Sequence, residues 1–395
     1  MLADRLDLLG HRCLRINLCF GDQIFWRRRG AISYRGSLNG WHTFLEEFCS
    51  REGVTDIVLL GEQRDHHKMA VDFARNQGMR VTVTEWGYLR PDWITFEKFG
   101  MSGNSQFSKN PDTIRAMAIG LLNADGELRF PDSFAEMAFN GFCADVGSWA
   151  LACLYPGYRS HLLLNPVLLY VCTGLRRWRA SINAQTVNRR VEAIVANATA
   201  KPFFIFPMQI EADFQVRAYS PYPDLVSALE EILRSFASFA TATHVLIVKL
   251  HPMDPGVRPW KRIISGLAEK FGVASRVEFL DGGDFDTLAA ASSGVVTINS
   301  TCGVGAIKRG VPVLTLGQAM FHIPGLTFQG KLDAFWSSAE PPDKELCDAF
   351  LKCIASTIQI KGGFFSRDGL CAIVSEAALR LDRELVNKPL LERTG

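Results

Sequence analysis

The chain has 395 residues, too many for one comfortable hydrophobic core, so two domains of about 150–200 residues are expected. Its 48% hydrophobic and 21% charged residues are those of a globular protein and exclude a disordered chain. A formal charge of +2 argues against nucleic acid as a partner, because such domains carry a strong basic excess.

Ten cysteines stand singly, with no Cys-x-x-Cys pair and no Cys/His cluster at zinc spacing. No metal site is therefore expected, and the thiols read as reduced and mostly buried. The N-terminal stretch carries charges and lacks a small-residue cleavage site, so it does not read as a secretory signal. No apolar run reaches the roughly 18 residues of a membrane span. The nearest approach, 149–175, is broken by Pro156, Arg159, His161 and Pro166. A cytoplasmic chain, free or peripheral to a membrane, is the expectation.

In chain order, strand-like and helix-like segments alternate, the pattern of α/β domains with parallel sheets. Residues 14–19 read as a strand turned at Gly21-Asp22, 41–52 as an amphipathic helix, and 56–60 as a strand ending at Gly61. A helix over 66–77 is closed by Gly78, and 80–84 is the next strand. This run forms a Rossmann-like half. Residues 105–195 read as helical and irregular, with helix starts at Asn110-Pro111-Asp112 and Phe130-Pro131-Asp132. A second α/β run opens with a strand at 202–206, a helix at 223–240 and a strand at 244–249. Then come a helix at 259–271 and strands at 277–280, 294–298 and 311–316, with a short helix at 303–309 between the last two. Helices at 341–357 and 366–388 close the chain. The expected fold is α/β and GT-B-like: a Rossmann-like domain with a helical insertion over 1–199, a second over 200–365, and a helical segment over 366–395 packing toward the first. Ligand would lie in an interdomain cleft, beyond the carboxyl ends of the strands.

Several of those strand ends carry chemistry. Lys249-Leu250-His251-Pro252 follows the best-defined strand of the second half. Lys249 brings charge, His251 can donate to a phosphate oxygen, and Pro252 fixes the turn. Asn299-Ser300-Thr301-Cys302-Gly303 joins another strand to a helix, combining hydroxyl donors with free backbone N–H groups. A plain N-cap is the competing reading of that segment. Neither a Walker pattern nor Gly-x-Gly-x-x-Gly occurs, so an ATPase or dehydrogenase has little support.

Gln209-Ile210-Glu211-Ala212-Asp213-Phe214-Gln215 follows the first strand of that half. Asp213 suits a nucleophile or base and the two glutamines suit sugar orientation; an acidic turn is the bland alternative. Glu85-Trp86-Gly87-Tyr88-Leu89-Arg90-Pro91-Asp92 sets a carboxylate beside aromatic rings, as carbohydrate stacking needs, or forms an interdomain packing loop. Arg27-Arg28-Arg29 and Arg176-Arg177-Trp178-Arg179 are basic patches. The second follows the apolar stretch 162–170 and suits an anionic membrane surface or a solvated helix face.

Together these segments resemble the bacterial capsule polysaccharide synthesis family, in particular its KpsS/LipB-like retaining β-Kdo transferases. The resemblance rests on Ile16 to Asp22 with Phe25-Trp26, Glu85 to Asp92 with Thr95 and Asn104, and Phe206 to Gln209 with Asp213 and Gln215. Lys249 to Pro252 and Asn299 to Gly303 with Gly310, Pro312 and Gly317 complete it. It implies CMP-β-Kdo as donor and no cofactor. The implied acceptor is a glycolipid, phosphatidylglycerol already carrying β-Kdo, at the inner face of the cytoplasmic membrane. Other capsule synthesis and export proteins are implied as partners. Asp213 then matches the covalent nucleophile, Glu85 the acid/base with Glu211 as its rival, and His251, Ser300 and Thr301 the phosphate loops. A UDP-sugar transferase or epimerase on the same fold, and a non-catalytic assembly protein, remain as alternatives.

Overall fold

The computed structural model describes residues 1–26, 28–124, 127–160 and 162–390. Arg27, His161 and the last five positions of the expected 366–395 segment lie outside the described residues. The elements begin α1 (Leu2–Leu8), β1 (Arg15–Asn17), α2 (Phe20–Ile24), β2 (Ala31–Ser33), α3 (Trp41–Glu52), β3 (Asp56–Leu60), α4 (Asp65–Asn76), β4 (Arg80–Trp86) and β5 (Trp93–Lys98). Three helices follow, α5 (Pro111–Ala118), α6 (Phe134–Ala150) and α7 (Pro166–Ala196). The chain continues with β6 (Phe203–Pro207), α8 (Phe214–Tyr219), α9 (Leu225–Phe239), β7 (Val245–Lys249), α10 (Trp260–Lys270), β8 (Val277–Leu280) and α11 (Phe285–Ala291). It ends with β9 (Gly294–Thr297), α12 (Cys302–Lys308), β10 (Val313–Thr315), α13 (Leu332–Ser338), α14 (Lys344–Thr357), β11 (Gln359–Lys361) and α15 (Arg367–Asp382).

The fold is α/β, as expected, in two compact units that are not contiguous in sequence. Unit 1 holds residues 1–107, 120–168 and 352–395; unit 2 holds 108–119 and 169–351. Residues 169–199 thus cluster with the second unit, where the sequence expectation had grouped them with the first. The reason lies in α7. Its Arg176 binds the 252–254 turn and Asp281, Val187 and Val191 fit against Gly282 and Gly283, and Arg190 pairs with Glu278.

The main sheet of unit 1 has the order β11-β5-β4-β3, while β1 and β2 pair apart. Within that sheet β3 and β4 are parallel, as β1 and β2 are in theirs; β5 runs antiparallel to β4, and β11 antiparallel to β5. This corrects the all-parallel expectation for the first half. The segment 85–92 is a hairpin turn rather than a strand-to-helix loop, closed by Gly87 N–H donating to Trp93 O at 2.9 Å. Gly87 packs so closely that a Cβ there would lie 2.4 Å from Trp93 O. The return of the chain is fixed by Arg380, which is fully buried and donates to the carbonyls of Ser356, Thr357 and Gln359 while pairing with Glu376.

Unit 2 contains a five-stranded, all-parallel sheet in the order β10-β9-β6-β7-β8. Its strands are near-continuous apolar runs because both faces are covered. Leu225, Leu229, Ile232, Leu233 and Phe236 recur at helical spacing along α9 and share one core with Phe204, Phe206, Leu246 and Val248. Each such side chain contributes about 1.5–3 kcal/mol on burial. All ten cysteines are free thiols, three of them buried, five partly buried and two exposed, so fewer are fully buried than the sequence suggested. Among the described residues, no helix is long and apolar enough to cross a membrane.

Candidate functional site

In unit 2 the chain leaves β6 to build β7 and β8 on one side, then crosses to place β9 and β10 on the other. The order reverses between β6 and β9, and crevices for ligands open at the carboxyl ends of such a pair. Gln209 lies two residues beyond β6 and Asn299 two beyond β9. Both are buried, and they lock together. Gln209 Nε2 donates to Asn299 Oδ1 at 2.9 Å, and Asn299 N–H donates to Gln209 Oε1 at 3.2 Å. Asn299 Nδ2 also donates to Gln215 O at 2.7 Å. Of the two glutamines that the sequence offered for sugar contact, Gln209 thus holds the two loops in register with its side chain, and Gln215 with its backbone carbonyl alone.

Beyond Asn299, Ser300 N–H donates to Thr297 Oγ1 and Cys302 N–H to Ser300 Oγ, which winds the segment into α12 with Thr301 at its cap position. Gly303 has a packing role: a Cβ there would meet the Phe321 ring at 2.6 Å.

The neighbouring strand end belongs to β7. Lys249, its last residue, is 5% exposed, and its ammonium has no hydrogen bond or ion pair among the described residues. Burial lowers its pKa, against the attraction of Cys302, Asp284 and Asp281. Those two acids have other partners. Asp281 pairs with Arg176, and Asp284 caps α11 by accepting from Thr287 N–H and Oγ1.

His251 Nδ1 accepts from Met253 N–H at 3.0 Å, so a neutral ring carries its proton on Nε2. The turn after it is rigid. Asp254 accepts from Gly256 N–H and Trp260 Nε1, and Arg176 donates to the carbonyls of Pro252 and Asp254 at 2.8 and 2.9 Å. Arg176, grouped by sequence with a membrane-facing patch, is therefore turned into the protein. Arg177 reaches Met253 Sδ at 3.5 Å, while Trp178 and Arg179 are exposed on α7.

The 209–215 segment leads into α8, a helix that sequence periodicity missed because it has only six residues. Asp213 is its N-cap and accepts from Gln215 N–H at 2.9 Å. Its carboxylate is open to water on one side, yet the protein around it raises its pKa, opposed by the Gln215 hydrogen bond. Glu211 pairs with Arg258 at 2.8 Å. Glu211 Oε1, Gln215 Oε1 and Arg176 Nε are buried with no hydrogen-bond partner among the described residues.

In unit 1, Glu85 sits within β4, opposite Thr95. Tyr88 is buried and accepts from Ser102 N–H, Trp86 packs on Phe364 and Phe365, and Arg90 covers the Trp86 ring. The aromatic side chains near Glu85 are thus engaged in packing. Glu85 Oε2 lies against Gly61, where a Cβ would stand 3.2 Å away. The sequence reading missed His67, whose Nδ1 donates to the carbonyls of Leu60 and Gly61 at 3.0 and 2.8 Å. Burial and nearby Arg64 push its pKa down to about 4, so the ring is neutral. No strand-end signal marked it: His67 lies in the first turn of α4, seven residues beyond β3, whereas His251 lies two residues beyond β7.

Comparison with known proteins identifies the family. The chain is 27% identical to the Escherichia coli capsule polysaccharide export protein KpsS over 364 residues, covering 92% of this chain and 93% of that protein. It is 30% identical to the Neisseria meningitidis capsule polysaccharide modification protein LipB over 374 residues, covering 93% and 88%. Among solved structures, the Thermosulfurimonas dismutans KpsC β-Kdo 2,7-transferase aligns over 95% of this chain and 99% of that one, at 14% identity and a TM-score of 0.44. The family model described as capsule polysaccharide biosynthesis protein matches residues 55–365, and this chain belongs to that family.

Proposed function

We propose that the chain is a retaining, metal-independent glycosyltransferase of GT-B type. In this reading it moves β-Kdo from CMP-β-Kdo to a β-Kdo-primed phosphatidylglycerol acceptor at the inner face of the cytoplasmic membrane, within capsular polysaccharide assembly. One observation carries it: Lys249, only 5% exposed at a strand end beside the β6–β9 reversal, has no hydrogen bond or ion pair for its ammonium among the described residues. A buried charge is costly unless paired, and a nucleotide phosphate supplies the missing partner. His251, holding a proton on Nε2, adds a donor to the same anion.

The chemistry then runs in two inversions. Asp213 attacks the anomeric carbon, the bond from that carbon to the phosphate oxygen breaks, and CMP departs with the electron pair. Lys249 and His251 stabilise the charge that develops on the phosphate. An acceptor hydroxyl next attacks the glycosyl ester, its proton passes to a base, and Asp213 leaves as a carboxylate. The resemblance matches Glu85 to that base, with Glu211, paired with Arg258, as its rival.

Incubation with CMP-Kdo and a β-Kdo-tipped lipid should lengthen the acceptor by one or more Kdo residues. Asp213→Asn should abolish transfer while CMP still binds, and Asn keeps the α8 cap, so the fold survives the change. Absence of product with β-Kdo acceptors of every length tried would overturn the proposal.

A further inference from the structure

The outer face of α7 carries an apolar stripe. Val167, Leu168, Val171, Leu175, Trp178 and Ile182 are each between 40% and 62% exposed. At 100° per residue they fall within an arc of about 100°, and they run for roughly 22 Å along the helix. The opposite face is the one that docks on unit 2, through Arg176, Val187, Arg190 and Val191. From Leu169 onward, where the helix belongs to unit 2, the stripe therefore points away from that unit.

Charge identifies what covers it. From Val146 to Val191 the sequence has six arginines (159, 176, 177, 179, 189 and 190) and no Asp or Glu, in a chain whose 43 basic residues nearly balance its 41 acidic ones. Arg176 and Arg190 pair with Asp281 and Glu278, and Arg179 and Arg189 stay exposed on α7. The 3-4-3-4 spacing of Leu168, Val171, Leu175, Trp178 and Ile182 would also suit a helix–helix seam. A second copy, however, would bring the same arginines against one another with no acid in the stretch to meet them. A continuous anionic surface has no such conflict. Guanidinium groups meet phosphates, Trp178 lies at the headgroup level, and the aliphatic side chains enter the acyl boundary.

We propose that α7 lies on an anionic lipid bilayer through this stripe, with Arg179 at its flank and Arg189 beyond its C-terminal end. The inference rests on the proposed function only for the identity of the acceptor lipid; the surface itself is independent of the sugar chemistry. It names the face by which the chain meets the membrane holding that lipid.

Flotation of the full chain with vesicles of phosphatidylcholine, with and without phosphatidylglycerol, tests it. The wild type should float only with the phosphatidylglycerol vesicles, and less as salt rises. The triple variant Val171→Ser/Leu175→Ser/Ile182→Ser should lose about tenfold or more in partitioning, with its thermal midpoint unchanged because the three positions are exposed. Should that variant fail to fold, Arg179→Glu/Arg189→Glu should still show the loss. Equal flotation of the variants and the wild type overturns the proposal. So does a wild type that ignores phosphatidylglycerol vesicles, whether it stays monomeric, dimerises through the stripe or binds an acidic protein there. Transfer to a lipid-free β-Kdo acceptor, read on the same samples, separates the two ideas. Flotation without transfer leaves the surface standing and removes the sugar chemistry. Transfer without flotation does the reverse.

Discussion

Lys249→Met separates a charge kept for a ligand from one kept for the fold. Lys249 is 5% exposed, its ammonium has no partner among the described residues, and Asp281 and Asp284 are bound elsewhere. An ion so placed costs several kcal/mol after relaxation. Attraction from the surrounding groups returns part of this, leaving a net penalty of about 1–3 kcal/mol. Met preserves the volume of the stem and removes the charge, so the ligand-free variant should melt roughly 2–10 °C higher. The folded pKa of Lys249 lies below its unfolded value. The unfolded chain therefore binds more protons between those two values, and wild-type stability rises with pH through that window; the variant should lose the rise. CMP at a hundred times its dissociation constant should stabilise the wild type by about 2.7 kcal/mol and the variant by almost nothing. Thermal unfolding with and without CMP reads both effects. A variant that melts lower than the wild type without ligand, or gains equally from CMP, refutes the reasoning.

Asn299→Ala strands the Gln209 amide and the Gln215 carbonyl in a buried setting, and should destabilise the chain by about 2–4 kcal/mol in urea unfolding. A cycle with Gln209→Ala should show coupling of about 1 kcal/mol or more, since each residue satisfies the other; additivity would disprove the lock. Asp213→Ala should cost about 1 kcal/mol of cap stability as well as activity, whereas Asp213→Asn should lose activity alone. Glu97 is fully buried, and burial pushes its carboxyl up to about 8, against hydrogen bonds from Ser105 and Gln106. The folded state then holds the extra proton between about pH 4.5 and 8, so stability falls as pH rises through that range. Glu97→Gln should flatten the fall and add on the order of a few kcal/mol at alkaline pH; an unchanged pH profile would count against it.

The sequence was most legible where one physical signal dominated. The parallel strands of unit 2 stand out as unbroken apolar runs, and α3 and α9 as amphipathic periods. The strand-end rule also singled out Lys249, His251 and Asn299. Legibility failed where partners are distant in sequence. The polarity of β5 depends on a hairpin at Gly87 and on pairing with β11, which lies some 265 residues further along the chain. Arg176 read as a surface charge because its partners, Pro252, Asp254 and Asp281, come from two loops well downstream. Glu97 was invisible for the opposite reason: a single Glu in a strand-like run carries no mark of full burial.

Local rules are broken together in unit 2, and that grouping bears on function. Lys249 has no counter-ion, and Glu211 Oε1, Gln215 Oε1 and Arg176 Nε have no hydrogen-bond partners among the described residues. All four belong to the loops at the ends of β6 and β7 or to the helix that braces them. A chain selected for stability alone would replace such groups with apolar ones of similar volume. Buried atoms without a partner among the described residues also occur in unit 1, at Trp26 Nε1, Arg28 Nη1, Thr84 Oγ1 and Glu97 Oε2, so the group at β6 and β7 bears on binding through its company with Lys249. The Gln209–Asn299 lock and the Asp254–Arg176 brace explain how the edge holds its shape under that cost. In the proposed reaction they would fix the strand ends so that Lys249 and His251 need not reorganise when charge builds on a leaving phosphate, which is where preorganisation lowers a barrier.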